Sequence, residues 1–369
     1  MRINNNGLDT VYVSQTDDNG VFNSFGKVGK IKSFDGIRTM AFMMIFLSHI
    51  GRKFTILNEF CFGVVGVQIF FVMSGFLCLY TYRANSYNLV RESWVYYLKK
   101  LKKVYPLHLI TFWFAFSLQL WWVYKYQASG QVMHLLKSAI PNLLLIQTFF
   151  YNFGNDFNWV TWFLADIMFF YSLTPVLVRL TKKCSSIPQI LMCMLAVFII
   201  QVCIVIISPI ENQVHYIYVF PISRLFDFGM GMLLAELYIR VNKKVKNTSV
   251  YQALSIISLF VLMIMSYILK IEVKYTYTLL FEFSICLTIF FSANDFGDIS
   301  IFLGKPVFNF FSSISMGFFL IHQLVIRYLE EYSISFSYID DTKYYVLCFV
   351  FAFSLAIAWK YVSRLFAMK

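Results

Sequence analysis

The sequence predicts an all-α polytopic membrane protein, a bundle of about ten transmembrane helices with both termini cytoplasmic. Three observations predict it. Of the 369 residues, 59% are hydrophobic and 14% charged, against about 25% charged in soluble domains, and mean hydropathy is +0.66. Several apolar runs reach about 20 residues, enough to cross a hydrocarbon core of about 30 Å. Lysine and arginine cluster in short stretches between those runs, nearly all on one side if ten of them cross.

Residues 1–31 are polar and Asn-rich, with no apolar core or small-residue cleavage site of a signal peptide, and read as a cytoplasmic tail. Residues 32–369 form the predicted membrane domain. Its spans are placed at 33–51, 58–82, 104–124, 159–180, 187–208, 218–239, 250–269, 275–293, 312–329 and 343–365, with 83–103 and 330–343 as the longest polar loops. A further run, Ala139 to Phe150, is too short to cross and is read as re-entrant or interfacial. If it crossed, Arg179, Lys182 and Lys183 would move outside, against the charge rule. With ten spans the inside holds Lys27, Lys30, Lys32, the lysines of 99–103, Arg240, Lys243, Lys360 and Arg364; the outside holds the acidic patch Glu330, Glu331, Asp340 and Asp341.

The net charge of +12 reports this topology, not a nucleic-acid partner, because the basic residues form no single stripe. The seven cysteines lie in or beside apolar runs with no Cys-x-x-Cys spacing, which suggests neither a disulfide framework nor a zinc site. His108, His134 and His215 have no carboxylate or cysteine beside them at ligand spacing, so no metal is implied.

The first span carries Asp35-Gly36-Ile37-Arg38 and ends in Ser48-His49. Arg38 and His49 are 11 residues apart, roughly 16 Å along a helix and about 20° around it, so they share a face. Ionisable groups are costly inside a bilayer and suggest chemistry; the structural alternatives are a hydrogen bond to a neighbouring helix for His49 and snorkelling to headgroups for Arg38. An anionic ligand head at Arg38 with a reactive group reaching toward His49 fits the spacing, and a coenzyme A thioester is such a ligand. The second span has Gly63, Gly66 and Gly75 where helices can approach closely. In the sixth, Arg224 and Asp227, three apart, are expected to pair at the inner or middle part of the span, for structure or for donor binding. His322, mid-span among aromatics, reads as a hydrogen-bonded core histidine, and Trp162 with Tyr171–Pro175 as packing and interface anchors.

Taken together, these segments resemble the acyltransferase-3 family of integral membrane acyltransferases over roughly residues 33–365. The resemblance is carried by Phe34-Asp35-Gly36-Ile37-Arg38 with His49, by Gly66 to Phe76, by Lys99 to Leu107 with its Tyr105-Pro106, by Trp162-Phe163-Leu164 through Pro175, by Arg224 to Gly231, and by Ile314 to His322. It implies transfer of an acyl group, most often acetyl, from cytoplasmic acyl-CoA to a hydroxyl of a surface or secreted polysaccharide or its lipid-linked precursor, in a bacterial cytoplasmic membrane. His49 would then serve as general base or as transient acyl carrier. Arg38 would neutralise donor phosphates or stabilise the oxyanion, oriented by Asp35. The basic pair before the Tyr-Pro, usually arginine in the family, is replaced here by lysines; Lys99, Lys100, Lys102 and Lys103, with Arg224, are assigned to the anionic part of acetyl-CoA, with a topological stop signal as the alternative. Some members carry a fused extracytoplasmic hydrolase-like domain, whereas this sequence ends four residues past its last predicted span and is expected to act alone or with a separate partner. The competing class is an exporter or flippase of a glycan intermediate, but the Asp-Gly-x-Arg…His pattern does not recur in the second half, as an internally repeated transporter would have it.

Overall fold

The computed structural model describes residues 11–16, 22–50, 60–82, 91–153, 156–241, 247–294, 296–333 and 341–367. Its helices are α1 (Phe34–Ile50), α2 (Phe62–Tyr82), α3 (Arg91–Lys125), α4 (Val132–Leu143), α5 (Thr161–Lys182), α6 (Ile187–Ile207), α7 (Pro221–Val241), α8 (Thr248–Ile268), α9 (Glu282–Ser292), α10 (Asp298–Leu303), α11 (Pro306–Ser333) and α12 (Asp341–Ala367). Eight of these are long and apolar enough to cross a membrane: α2, α3, α5, α6, α7, α8, α11 and α12. The protein is an all-α polytopic bundle.

Side-chain neighbours fix the direction of each helix. Gly63 lies against Ser48 and Phe76 against Phe34, so α1 and α2 are antiparallel. Arg38 meets Ser312 and His49 meets His322, so α1 and α11 are parallel. Gln201 with Asp227 and Arg240 with Cys184 make α6 and α7 antiparallel. Gln252 with Ser292 and Ser258 with Ser284 do the same for α8 and α9. Tyr344 on the Ile326 carbonyl and Lys360 on Ser313 run α12 back along α11. The start of α1 and the end of α12 therefore share one end of the bundle, which also carries Lys100, Lys103 and Arg240.

At the centre, α2 packs on α7 through two glycines. A Cβ on Gly75 would lie 1.9 Å from the Phe228 carbonyl oxygen, and one on Gly231 would lie 1.9 Å from that of Val72. Backbone approach this close is how membrane helices gain packing energy without a hydrophobic drive. The periphery is bare and apolar: on α6, Met192, Leu195 and Ile206 are exposed, as suits a helix facing lipid.

Three expectations change. The polar tail contains a two-stranded antiparallel hairpin, β1 (Val11–Thr16) with β2 (Phe22–Val28), built from β-favouring Val, Tyr and Phe. The loop 83–103 is partly helix, since α3 begins at Arg91 and carries the lysines on its first turns. The eighth span is broken: a single turn at Val273–Thr276 gives way to α9 only at Glu282. The exposed carbonyls of the break are used, Tyr277's by Arg224 Nη1 at 2.7 Å and Thr278's by Gln68 Nε2 at 2.5 Å, as unwound backbone in a membrane requires. Arg224 and Asp227 occupy the first two turns of α7, but the apolar span begins earlier, at Val214, and runs to Val241, so the pair sits in its middle part, as expected.

The run Ala139–Phe150 does not cross. α4 starts near the far end of α3 and dips inward until the Leu143 carbonyl accepts from Tyr105 and the Asn142 carbonyl sits 3.0 Å from His108 Nε2. The chain then returns to the start of α5, with Gln147 bonded to Thr161.

Candidate active site

Two parallel helices carry the polar residues of the site at matching heights. Along α1 these are Asp35, Arg38 and His49; along α11 they are Asn309, Ser312, Ser315 and His322. Asp35 Oδ2 accepts from Asn309 Nδ2 at 2.9 Å and from Lys30 Nζ at 2.5 Å. Arg38 Nη1 donates to Ser312 Oγ at 3.2 Å. Asp35 is thus tied to Lys30 and Asn309, and Arg38 is held by Ser312 instead of by Asp35. Proximity within one turn still lets the carboxylate offset the guanidinium charge.

Between these helices and α2, α3 and α5 lies a cavity of about 440 Å³, within the range of about 300–1,000 Å³ usual for small-molecule sites. Its mouth is basic, with Lys30, Arg38, Lys100 and Lys103 on the lining; Lys30 and Lys103 are exposed. The deep end is closed by Phe70, Phe163 and Phe319, with the last two rings 5.3 Å apart. Tyr96 and Tyr171 line the wall, and Lys100 lies over both rings at 5.2 and 5.1 Å. Tyr171, expected as an anchor, is therefore a wall of the cavity.

Helical periodicity divides the lysine quartet. Tyr96, Lys100 and Lys103 fall on one face of α3 and line the cavity, whereas Lys99 and Lys102 are exposed and do not line it.

One turn beyond Phe319, about 4.5 Å along α11, stands His322. It is 1% exposed, and its Nε2 lies 2.9 Å from His49 Nδ1. His322 Nδ1 is 3.2 Å from the Phe318 carbonyl oxygen. His49 itself is only partly buried, and Phe46 and Phe318 pack on the His322 ring. So His322 is hydrogen-bonded, as expected, but to His49; the pairing is invisible without knowing that α1 and α11 are neighbours. The matched intervals, 11 residues from Arg38 to His49 and 10 from Ser312 to His322, are the one trace of it in the sequence.

Arg224 lies elsewhere. It does not line the cavity, is fully buried, pairs with Asp227 at 3.1 Å and lies over the Phe71 and Tyr218 rings. Asp227 in turn accepts from Gln68 and Gln201, and Gln68 also bonds Glu282. This network ties α2, α6, α7 and α9 together; truncating one member would leave buried charge uncompensated.

A family model for the acyltransferase domain matches residues 31–362, nearly the whole helical bundle. The chain belongs to the acyltransferase-3 family. Among curated proteins, acyltransferase MdmB of Streptomyces mycarofaciens is 23% identical over 330 residues, covering 82% of this chain and 80% of that protein. No solved structure gives a significant match. The chain is accordingly a membrane acyltransferase.

Proposed function

We propose that this acyltransferase moves an acyl group, acetyl before others, from acetyl-CoA to a hydroxyl of a surface or secreted polysaccharide or its lipid-linked precursor. The observation that carries this reading is the shared axis of α1 and α11. A basic-mouthed cavity begins at Arg38 and ends one helical turn short of the His49–His322 pair. Phosphates of the donor meet Arg38, Lys100 and Lys103 at the mouth, and the flexible arm runs down the cavity between Tyr171 and Ser312 toward the histidines. The acceptor hydroxyl approaches the partly exposed His49 from the opposite end.

In the transfer, His49 takes the hydroxyl proton as the oxygen attacks the thioester carbonyl; the C–O bond forms, the C–S bond breaks, and the proton passes to the departing thiolate. Should His49 instead attack first, the acyl group is carried on its ring before the hydroxyl takes it. Arg224 is left out of donor binding, because it faces the Asp227 network. Membership of an acyltransferase family favours the enzyme over the exporter.

The basic residues at the cavity mouth support a cytoplasmic position for that end in a bacterial inner membrane, where acyl-CoA is available, with both chain termini on the same side.

Lys100→Ala and Lys103→Ala are each expected to raise KM for acetyl-CoA about tenfold, the worth of one charge-assisted contact of roughly 1.5 kcal/mol. Lys99→Ala and Lys102→Ala should leave it within about twofold. Equal effects of all four would contradict the division of the quartet. The acceptor is tested by proton NMR of surface glycan from cells with and without the chain, before and after mild base. Loss of O-acetyl signal with the polymer retained supports the reading, and loss of the polymer itself would support export. A tag at either terminus of the same protein should resist external labelling.

A further inference from the structure

We infer that His322 is a positioning residue that fixes the tautomer of His49 and so selects Nε2 as its basic nitrogen, an assignment that rests on the acyl-transfer reading of this site. The chain of hydrogen bonds has one direction. The Phe318 carbonyl can only accept, so the His322 nitrogen 3.2 Å away, Nδ1, carries a hydrogen. Neutral imidazole has one N–H, which leaves His322 Nε2 with a lone pair. That nitrogen is 2.9 Å from His49 Nδ1, so His49 Nδ1 is the donor and its Nε2 keeps the lone pair. A backbone carbonyl thus sets the protonation pattern of two rings through two bonds.

The setting makes the arrangement firm. His322 is 1% exposed and its ring stacks on Phe318, centroids 5.8 Å apart and planes within 6°. Phe46 and Phe319 pack around it with centroids 6.0 Å away. It is therefore anchored by a helix carbonyl and by three aromatic rings, whereas His49 sits at the end of α1, partly exposed, with His322 as its hydrogen-bond partner. An unanchored imidazole divides between two tautomers and two ring orientations, of which one presents a basic Nε2. When His49 Nε2 takes the proton of the acceptor hydroxyl, its Nδ1–H bond to His322 Nε2 becomes charge-assisted and strengthens. The proton taken up on Nε2 leaves from the same atom to the thiolate sulfur, so His322 gains and loses none. Support for a proton-handling histidine through its second nitrogen is the usual device for orienting such rings.

The test uses the full-length protein with acetyl-CoA labelled in the acetyl group and, as acceptor source, membrane vesicles from cells lacking the chain. His322→Phe keeps an apolar ring in the aromatic pocket but removes the acceptor for His49 Nδ1–H. His322→Gln places an amide oxygen close to the position of Nε2. His322→Phe is expected to lower kcat about a hundredfold with KM for acetyl-CoA within about twofold, and His322→Gln to recover most of the loss. Equal kcat in His322→Phe and wild type, or equal loss in both variants, overturns the assignment. Independently of activity, nitrogen NMR of histidine-labelled wild type, with the two rings assigned through His49→Ala and His322→Gln, should show both in the Nδ1–H form. An Nε2–H form for either ring overturns it. Failure of wild type itself to transfer acetyl under these conditions would instead count against the acyl-transfer reading.

Discussion

Replacing His49 by alanine is expected to lower acyl transfer about 10²- to 10⁴-fold, the usual worth of a general base, while the protein still accumulates in the membrane. His49 lies at the last turn of α1 and is partly exposed, so its removal opens no deep cavity. The structural cost is the hydrogen bond to His322, about 1 kcal/mol, plus the desolvation penalty of an unpartnered His322 Nε2, about 1–3 kcal/mol. That is tolerable for a bundle held by so many other contacts. Protein level by immunoblot, read beside transfer of labelled acetyl, separates lost chemistry from lost fold. The same label distinguishes the two roles of His49: acetyl retained on wild-type protein in the absence of acceptor, and lost in His49→Ala, marks an acyl carrier. Wild-type transfer by His49→Ala would remove it from the mechanism.

The largest effect on stability is expected at the crossing of α2 and α7. Alanine at Gly231 would place a methyl group 1.9 Å from the Val72 carbonyl oxygen, and alanine at Gly75 would do the same against Phe228. Both obstacles are backbone, so no side chain can rotate away; the helices must separate. Val72, Phe76, Phe228 and Met232, all within 1% of full burial, would lose packing along the whole interface. Overpacking of a core costs about 1–3 kcal/mol even where side chains can adjust, and more is expected here. Gly229, two residues from Gly231, has open space at its Cβ position. Gly229→Ala should therefore be neutral or stabilise by up to about 1 kcal/mol through helix propensity. In detergent, Gly75→Ala and Gly231→Ala should melt several degrees below wild type or fail to accumulate, with Gly229→Ala at or above it. Equal Tm values for Gly229→Ala and Gly231→Ala would contradict the close crossing.

Much of this architecture is legible in the sequence because its causes are local. The length of an apolar run decides whether it can cross, and the failure of Ala139–Phe150 to cross follows from length and charge. The shared face of Arg38 and His49 follows from periodicity alone. Features that depend on a neighbour are not legible. The break between Thr276 and Glu282 exists because Arg224 and Gln68, far away in sequence, take its carbonyls; hydropathy shows only a continuous apolar segment. The pairing of His322 with His49 spans 273 residues and needs α11 beside α1. The basic stretch 99–103 reads as a loop because lysines interrupt the apolar pattern, yet lysine is a good helix former and α3 runs straight through it. Once it is helix, the separation of Lys100 and Lys103 from Lys99 and Lys102 follows. The tail hairpin was obscured by polarity: Val11-Tyr12-Val13 is short among asparagines, and its partner strand carries Asn23, Ser24 and Gly26.

The central claim is that donor binding belongs to the Arg38 end of one helix and chemistry to its His49 end. It is tested most directly by measuring acetyl-CoA binding and acetyl transfer on the same samples of purified wild type, Arg38→Ala and His49→Ala. The account predicts that His49→Ala binds acetyl-CoA like wild type and transfers about 10²- to 10⁴-fold more slowly, whereas Arg38→Ala binds about tenfold more weakly or worse. Normal donor binding by Arg38→Ala together with wild-type transfer by His49→Ala would contradict it.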